Sequence, residues 1–458
     1  QKEKYHNVNV KGTENIFKLA KEFKNGDFRS GYYRDQTIMF AIKELTVEQY
    51  FSGLYAHTDV EVEPQSAGRQ MGGHYATRNL DQKGHWKNLM QQKNSSSDIS
   101  PTAGQMPRLV GLAQASKVYR ENESLSALNN SKKFTNKGNE VAFGTIGDAS
   151  TSEGPFWESI NAAGVMQVPL VMSVWDDGFG ISVPREFQTT KGSISEALAG
   201  MQRTDAKKGY EILVTKGWDY AHLCQTYKKA VQIARDEHVP VLIHVKEVNQ
   251  PQGHSTSGSH ERYKSEERLT WEKEFDCIAK FKEWILSFDA AGNKIADEET
   301  LDALHKEAKA EVRQAKNTSW KKFTSEIQEE LNEIINIIQA VADSSSQKAF
   351  ILKELENLKK TYEPIRKDLL NTARKVLRLI HKEHSTQKEN LANWIQLSIA
   401  GSHDKYSSHL YSESDANIHN VPAVEPIYGA DDRMEDGRII LRENFKKQLE
   451  KMPELLIF

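Results

Sequence analysis

Residues 141–147 read VAFGTIG and residues 168–175 read VPLVMSVW, two apolar runs of strand length with the stretch EGPFWESINAAGVMQ between them. Within that stretch Phe156, Ile160, Ala163 and Gly164 recur at helical spacing, which suits a crossover helix lying on a sheet. Strand, helix and strand in so short a span make a βαβ unit, whose two strands pair in parallel. Helices cover both faces of a parallel sheet, so its strands read as continuous apolar runs. VPVLIHVKEV at 239–248 supplies a third strand of this kind. From residue 1 to about 265, helical patterns alternate with short apolar runs. The expected fold class is α/β, a mostly parallel sheet flanked by helices.

Beyond residue 265 the period changes. Phe323, Ile327, Leu331, Ile334 and Ile338 recur at helical spacing amid Glu, Lys and Gln. A second helical pattern runs through Leu355 and Leu358, then past Pro364 to Leu369, Leu370, Val376, Leu377 and Ile380, with SSS at 344–346 separating the two. Residues 266–400 are therefore expected to form a helical hairpin or bundle following the α/β segment at 1–265, its charge runs being solvated faces. Residues 401–425, rich in Ser, His, Asp and Asn, read as a linker, and a new element is expected over 426–458. It ends in PELLIF, a strand-like run without turn or partner, as expected of a chain cut short.

Several classes are disfavoured. No run of 18 apolar residues occurs, so no membrane span is expected. A net charge of −3 offers no general basic surface for nucleic acid. Cys224 and Cys277 show neither metal-ligand spacing nor a disulfide framework, which fits a cytoplasmic setting.

Ligands of open parallel sheets bind beyond the carboxyl ends of the strands. Two acidic elements stand there: GDAS, with Asp148 just after VAFGTIG, and DDG, with Asp176 and Asp177 just after VPLVMSVW. If the two strands are neighbours, Asp148 and Asp177 face one crevice. Two carboxylates there suit a hard cation such as Mg²⁺, which shares its shell with phosphate and water. Each element alone reads equally well as a turn closing a strand. One βαβ unit apart, they point together to a Mg²⁺–phosphate ligand. Asp176 and Asp177 also repel each other, so a positive partner is expected nearby.

GDA, 26 further residues and then DDG resemble the thiamine diphosphate motif, which begins GDG and ends in NN at about that distance. SGYYRDQ (30–36), GRQMGGHY (68–75), SPTAGQMP (100–107), SEGPFWESINAA (152–163), DDGFGISVP (176–184) and GHSTSGSHERY (253–263) follow in the order of the α-type module of 2-oxo acid dehydrogenase E1 components. The resemblance covers roughly residues 25–265. It implies a thiamine-diphosphate-binding fold, with Asp148, Asp177 and the backbone carbonyl of Phe179 as Mg²⁺ ligands. Tyr33 and Arg34 would hold the cofactor diphosphate, an arginine fork being suited to phosphate. Ser100, Pro101 and Thr102 would line the cofactor, Gly147 and Ala149 would let backbone approach phosphate, and Ile181 would touch the cofactor rings. Lys191 would stand where relatives place a phosphate-binding arginine, and His254 would assist catalysis beside the diphosphate. Ser255 aligns with a serine that some relatives phosphorylate.

The implied activity is thiamine-diphosphate-dependent oxidative decarboxylation of a 2-oxo acid, with a branched-chain substrate expected, and acyl transfer to a lipoylated E2 acyltransferase. Pyruvate or acetoin dehydrogenase E1 and a transketolase-like enzyme are the enzymatic alternatives, the HST loop speaking against the last. A scaffold with a vestigial site is an alternative of another class. It rests on Asp replacing both Asn residues of the motif, and HSTSGSH also replaces the HSTSDD of close relatives. Ile99 and Gly104 stand at positions where some relatives bind potassium through hydroxyls, so no potassium site is expected. The stretch from Tyr428 resembles the opening of a β-type module fused behind the helical segment. That module carries the family's activating glutamate, for which residues 1–458 offer no candidate, so this chain is expected to be inactive alone and the fused α–β chains to form a homodimer.

Overall fold

The computed structural model describes residues 22–452 and 455, apart from 34, 71, 82, 127, 129, 130, 251–259, 291, 409 and 416. Two compact units interleave along the chain. One takes residues 1–44, 73–301 and 414–458, the other 45–72 and 302–413.

The first unit is built on a six-stranded sheet: β1 (Phe28–Tyr32), β2 (Asn94–Ile99), β3 (Ala142–Gly147), β4 (Leu170–Trp175), β5 (Glu211–Lys216) and β6 (Val241–Lys246). Its order is β2-β1-β3-β4-β6-β5, and every pair is parallel. The βαβ unit read from residues 141–175 is therefore the centre of the sheet, with β3 and β4 as neighbours. Successive side chains of a strand point to opposite faces. On β4, Leu170, Met172 and Val174 join the cluster formed by helices α1 (Gln105–Glu121) and α2 (Gly154–Met166). Ser173 points the other way, where its Oγ accepts a hydrogen bond from Tyr227 of α3 (Tyr220–Glu237) at 2.9 Å. Helices thus cover both faces.

Local chemistry fixes these helices. α2 starts with Pro155 in its first turn, where a missing N–H costs nothing, and ends at Gln167 in a left-handed conformation. Asp219 caps α3 by accepting from the His222 N–H at 3.0 Å. Arg235, near the end of α3, forks onto Asp27 just before β1, at 2.9 and 2.7 Å, with both side chains buried. Gly144 on β3 lets α1 approach closely, since a Cβ there would lie 2.2 Å from the Leu109 Cδ2. Two further helices, α4 (Glu266–Glu274) and α5 (Cys277–Ser287), belong to this unit.

The second unit is helical. α6 (Glu298–Ser344) enters it at residue 302, and α7 (Lys348–Lys360), α8 (Arg366–Leu379) and α9 (Thr386–Ser407) follow. Ile334, Ile338, Ile351, Leu355, Leu369, Val376 and Leu391 form its core, which is the bundle expected from the 3.6-residue period. The break at SSS falls as read, but the second pattern, expected to run past Pro364, is divided there into α7 and α8, and the stretch expected as a linker from 401 is helical as far as Ser407. Its Ser, His and Asp residues lie on a solvated helix rather than in a loop. Residues 45–72 join this bundle: Tyr55 packs edge-on against Trp320 at 5.0 Å, and Arg69 donates to the Lys405 carbonyl at 2.6 Å. A helix spans Gly437–Lys451, α10, with Ile440, Leu441 and Phe445 exposed. Most of PELLIF lies outside the described residues.

Candidate active site

The register of the sheet brings the acidic residues together. Gly147 of β3 pairs with Trp175 of β4, so Asp148 and Asp176 leave the sheet at one level. Backbone ladders continue past the strand ends, with Asp148 N–H donating to the Trp175 carbonyl at 3.1 Å and Asp176 N–H to the Val245 carbonyl at 2.9 Å. These bonds hold both aspartates rigidly at the carboxyl edge.

The three carboxylates differ in what balances them. Asp176 is saturated: its Oδ2 accepts from Arg185 at 2.8 Å and meets His244 Nε2 at 3.0 Å, while its Oδ1 accepts from the Gly178 N–H at 2.9 Å. Burial would raise its pKa, but the His244 hydrogen bond and the Arg185 charge hold it below the ordinary carboxylate range. Asp177 accepts from the Phe179 N–H at 3.1 Å, and Arg268 donates to its backbone carbonyl at 2.8 Å. Burial pushes its carboxyl up to about 6 against the pull of that amide and of Lys264. Asp148 has the least help. It is only 6% exposed, and its Oδ2 has no hydrogen-bond partner among the described residues. Burial, with the charges of Asp177 and Asp176, pushes it up to about 8. A buried carboxylate short of positive charge is costly unless a cation joins it.

Asp177 is followed by a tight turn. Gly178 supplies φ +81°, a conformation open to glycine, and the backbone then forms a two-residue ladder, Phe179–Gly180 against Val183–Pro184. Ile181 sits at its tip with φ +60° and is 59% exposed. A β-branched side chain is strained there, by about 1–3 kcal/mol, which is characteristic of functional sites. Phe179 is held from behind, its ring lying 5.3 Å from the Arg268 guanidinium, 5.4 Å from the Lys264 ammonium and edge-on to Tyr263.

The remaining candidates fall around the carboxyl edge of β1 and β2. Tyr33 follows β1 and stacks on His74, the ring centroids 6.1 Å apart. His74 Nε2 in turn meets the Ser100 hydroxyl at 2.6 Å, so Tyr33 and Ser100 are joined through a histidine that the sequence reading did not single out. Its signal was present in GRQMGGHY, but nothing local connects residue 74 to residue 100. Pro101, Thr102 and Gly147 are exposed, and Ala149 is half-buried at the start of a helical turn. Lys191 is exposed and has φ +65°. Arg34, His254 and Ser255 lie outside the described residues.

Asp148 and Asp177 are the carboxylates available to a cation, since the oxygens of Asp176 are taken. Among the described residues no group of three or more His, Cys, Asp or Glu side chains is arranged to hold a metal. A cation held by two carboxylates, a main-chain carbonyl and phosphate oxygens needs no such group. The unpartnered Asp148 Oδ2 fits that arrangement. Asp176 and Asp177 also line a cavity of about 570 Å³ with Arg185, Lys216, Trp218 and Arg268. Asp148 does not line it.

The carboxylates thus stand at the ends of neighbouring central strands of an open parallel sheet, the edge at which such sheets bind their ligands. The family model described as "Dehydrogenase E1 component" matches residues 11–328. The chain is 25% identical over 260 residues to the 2-oxoisovalerate dehydrogenase subunit alpha of Bacillus subtilis, covering 57% of this chain and 66% of the relative. It is 25% identical over 260 residues to the mitochondrial 2-oxoisovalerate dehydrogenase subunit alpha of Caenorhabditis elegans, covering 57% and 50%. With the pyruvate dehydrogenase E1 component subunit alpha of Staphylococcus aureus it shares 26% identity over 188 residues, 41% of this chain and 48% of the relative. This chain therefore belongs to the dehydrogenase E1 component family, whose members use thiamine diphosphate. It spans less than two thirds of the length of these curated relatives.

Proposed function

We propose that this chain is the diphosphate-holding, α-type part of a 2-oxo acid dehydrogenase E1 component, acting on a branched-chain 2-oxo acid. The observation that carries this reading is the Asp148 carboxyl, buried at the end of β3 beside the charge of Asp177, with its Oδ2 lacking a hydrogen-bond partner among the described residues. Asp148, Asp177 and the Phe179 carbonyl would hold Mg²⁺, which would supply the missing positive charge beside a diphosphate. When bound, thiamine diphosphate supplies the electron sink that lets a 2-oxo acid lose CO₂. The chain's own residues do the holding. Tyr33, Arg34 and Lys191 hold diphosphate oxygens, Ser100, Pro101, Thr102, Gly147 and Ala149 line its path, and Ile181 supports the rings. His254 would hold or move a proton beside the diphosphate. A β-type module supplies the activating glutamate, and two fused chains pair to complete the sites. The two 2-oxoisovalerate dehydrogenase relatives favour a branched-chain substrate over pyruvate. The scaffold alternative loses part of its support, because Arg185 balances the extra charge of Asp176.

The test is decarboxylation by the full-length protein, with thiamine diphosphate, Mg²⁺ and an artificial electron acceptor. Turnover of 2-oxoisovalerate above pyruvate, abolished by Asp148→Ala, is the expected result. Equal activity with and without the cofactor would refute the assignment.

A further inference from the structure

Asp176 has no part in holding the cation. Asp176 belongs to the same DDG element as Asp177 and shares a side-chain hydrogen bond with Asp148, yet its carboxylate is also held by buried His244 and by Arg185. His244 is fully buried on β6, and its Nδ1 meets the Ser195 hydroxyl at 2.8 Å, so the ring is fixed from both sides. Arg185 closes the turn that starts at Gly178: its N–H donates to the Gly178 carbonyl at 3.1 Å and its guanidinium returns to Asp176. The turn so closed carries Phe179 and the strained Ile181. A turn with a left-handed isoleucine at its tip keeps that shape only when its ends are fastened. Here the fastening is a chain of contacts, Ser195–His244–Asp176–Arg185, that ties the end of the turn to His244 on β6.

We propose that Asp176 is a positioning residue rather than a metal ligand, and that its clamp on Arg185, braced by His244, holds the Gly178–Arg185 turn in the shape that presents Phe179 and Ile181 to the cofactor. This rests on the thiamine diphosphate reading for the identity of what the turn meets. The clamp itself is a feature of the chain alone.

The experiment uses the full-length protein with Arg185→Met, Asp176→Ala and the double variant. Arg185 is 43% exposed, so its replacement leaves a folded protein even if Asp176→Ala does not fold. Two readouts are taken: thiamine diphosphate affinity by calorimetry at saturating Mg²⁺, and hydrogen exchange of the amides of 178–187 without ligand. Loss of an outer support of this kind weakens binding roughly 10–100-fold. We expect each single variant to show that loss, the double variant to be no worse than the weaker single, and faster exchange confined to the turn while β4 and β6 stay protected. Wild-type affinity and unchanged turn exchange in Arg185→Met would overturn the proposal. So would loss of Mg²⁺-dependent binding in Asp176→Ala while Arg185→Met binds normally, since Asp176 would then act on the metal directly. Should the wild-type protein bind no thiamine diphosphate, the functional reading fails, and turn exchange in Arg185→Met still decides the clamp.

Discussion

Replacing Asp148 by Asn should stabilise the ligand-free protein while removing its response to Mg²⁺ and thiamine diphosphate. The Asp148 carboxyl ionises near 3.8 when the chain is unfolded and is pushed up to about 8 in the fold. Between those values the native state holds a proton that the unfolded state has lost. Stability therefore falls as pH rises through this window and levels off above about 8. At pH 7 the penalty spans about three pH units, so at about 1.36 kcal/mol per unit its ceiling is about 4 kcal/mol. Water reaching the site and small side-chain shifts relieve buried charges, so we expect about 2 kcal/mol to be recovered by Asn. Native-state hydrogen exchange of the β3 and β4 amides, in EDTA at about pH 5, 7 and 8.5, reads the sheet unit separately from the helical one. The variant should gain over wild type progressively with pH. Adding Mg²⁺ and thiamine diphosphate should then protect wild type, by about 2.7 kcal/mol at 100 times Kd, and leave the variant unchanged. A variant no more stable than wild type at high pH, or one still protected by Mg²⁺ and thiamine diphosphate, would refute the reasoning.

Three other sites make independent predictions. Asp98 is buried against Arg29 at 2.7 Å, and burial outweighs that ion pair to raise its carboxyl to about 7. Asp98→Asn should therefore flatten the fall in stability between about pH 4 and 7, measured by urea unfolding across that range. Arg235→Met leaves Asp27 buried with its fork partner gone and should destabilise the sheet unit by about 3–5 kcal/mol, read by urea midpoint. Gly144→Ala forces Leu109 aside and should cost about 1–3 kcal/mol, read by exchange of the α1 and β3 amides, without altering Mg²⁺ affinity.

What the sequence revealed follows the range of the forces involved. The βαβ unit was legible because two apolar runs and one helical period are local patterns, and the positions of Asp148 and Asp177 follow from where the strands end. The bundle core at Ile334, Ile338, Leu355 and Val376 was legible for the same reason. The partners of Asp176 were not: Arg185 lies across a turn, and His244 reaches it only because β6 pairs with β4. The His74 link between Tyr33 and Ser100 likewise depends on β1 and β2 lying side by side. Residues 45–72 gave no sign of joining the helical unit, because the join is made by Tyr55, Trp320 and Arg69 across long sequence distances. Ile181 could not be foreseen in a left-handed conformation, since β-branched residues disfavour it and only the surrounding contacts impose it.

The central claim is that Asp148 and Asp177 hold a metal-bound diphosphate. Calorimetric titration of thiamine diphosphate into the full-length protein, with Mg²⁺ and with EDTA, tests it most directly, with Asp148→Ala and Asp177→Ala alongside. Heat that requires Mg²⁺ and vanishes in both variants is the predicted result. Binding that survives EDTA or either substitution, or no binding by folded wild-type protein, would contradict it.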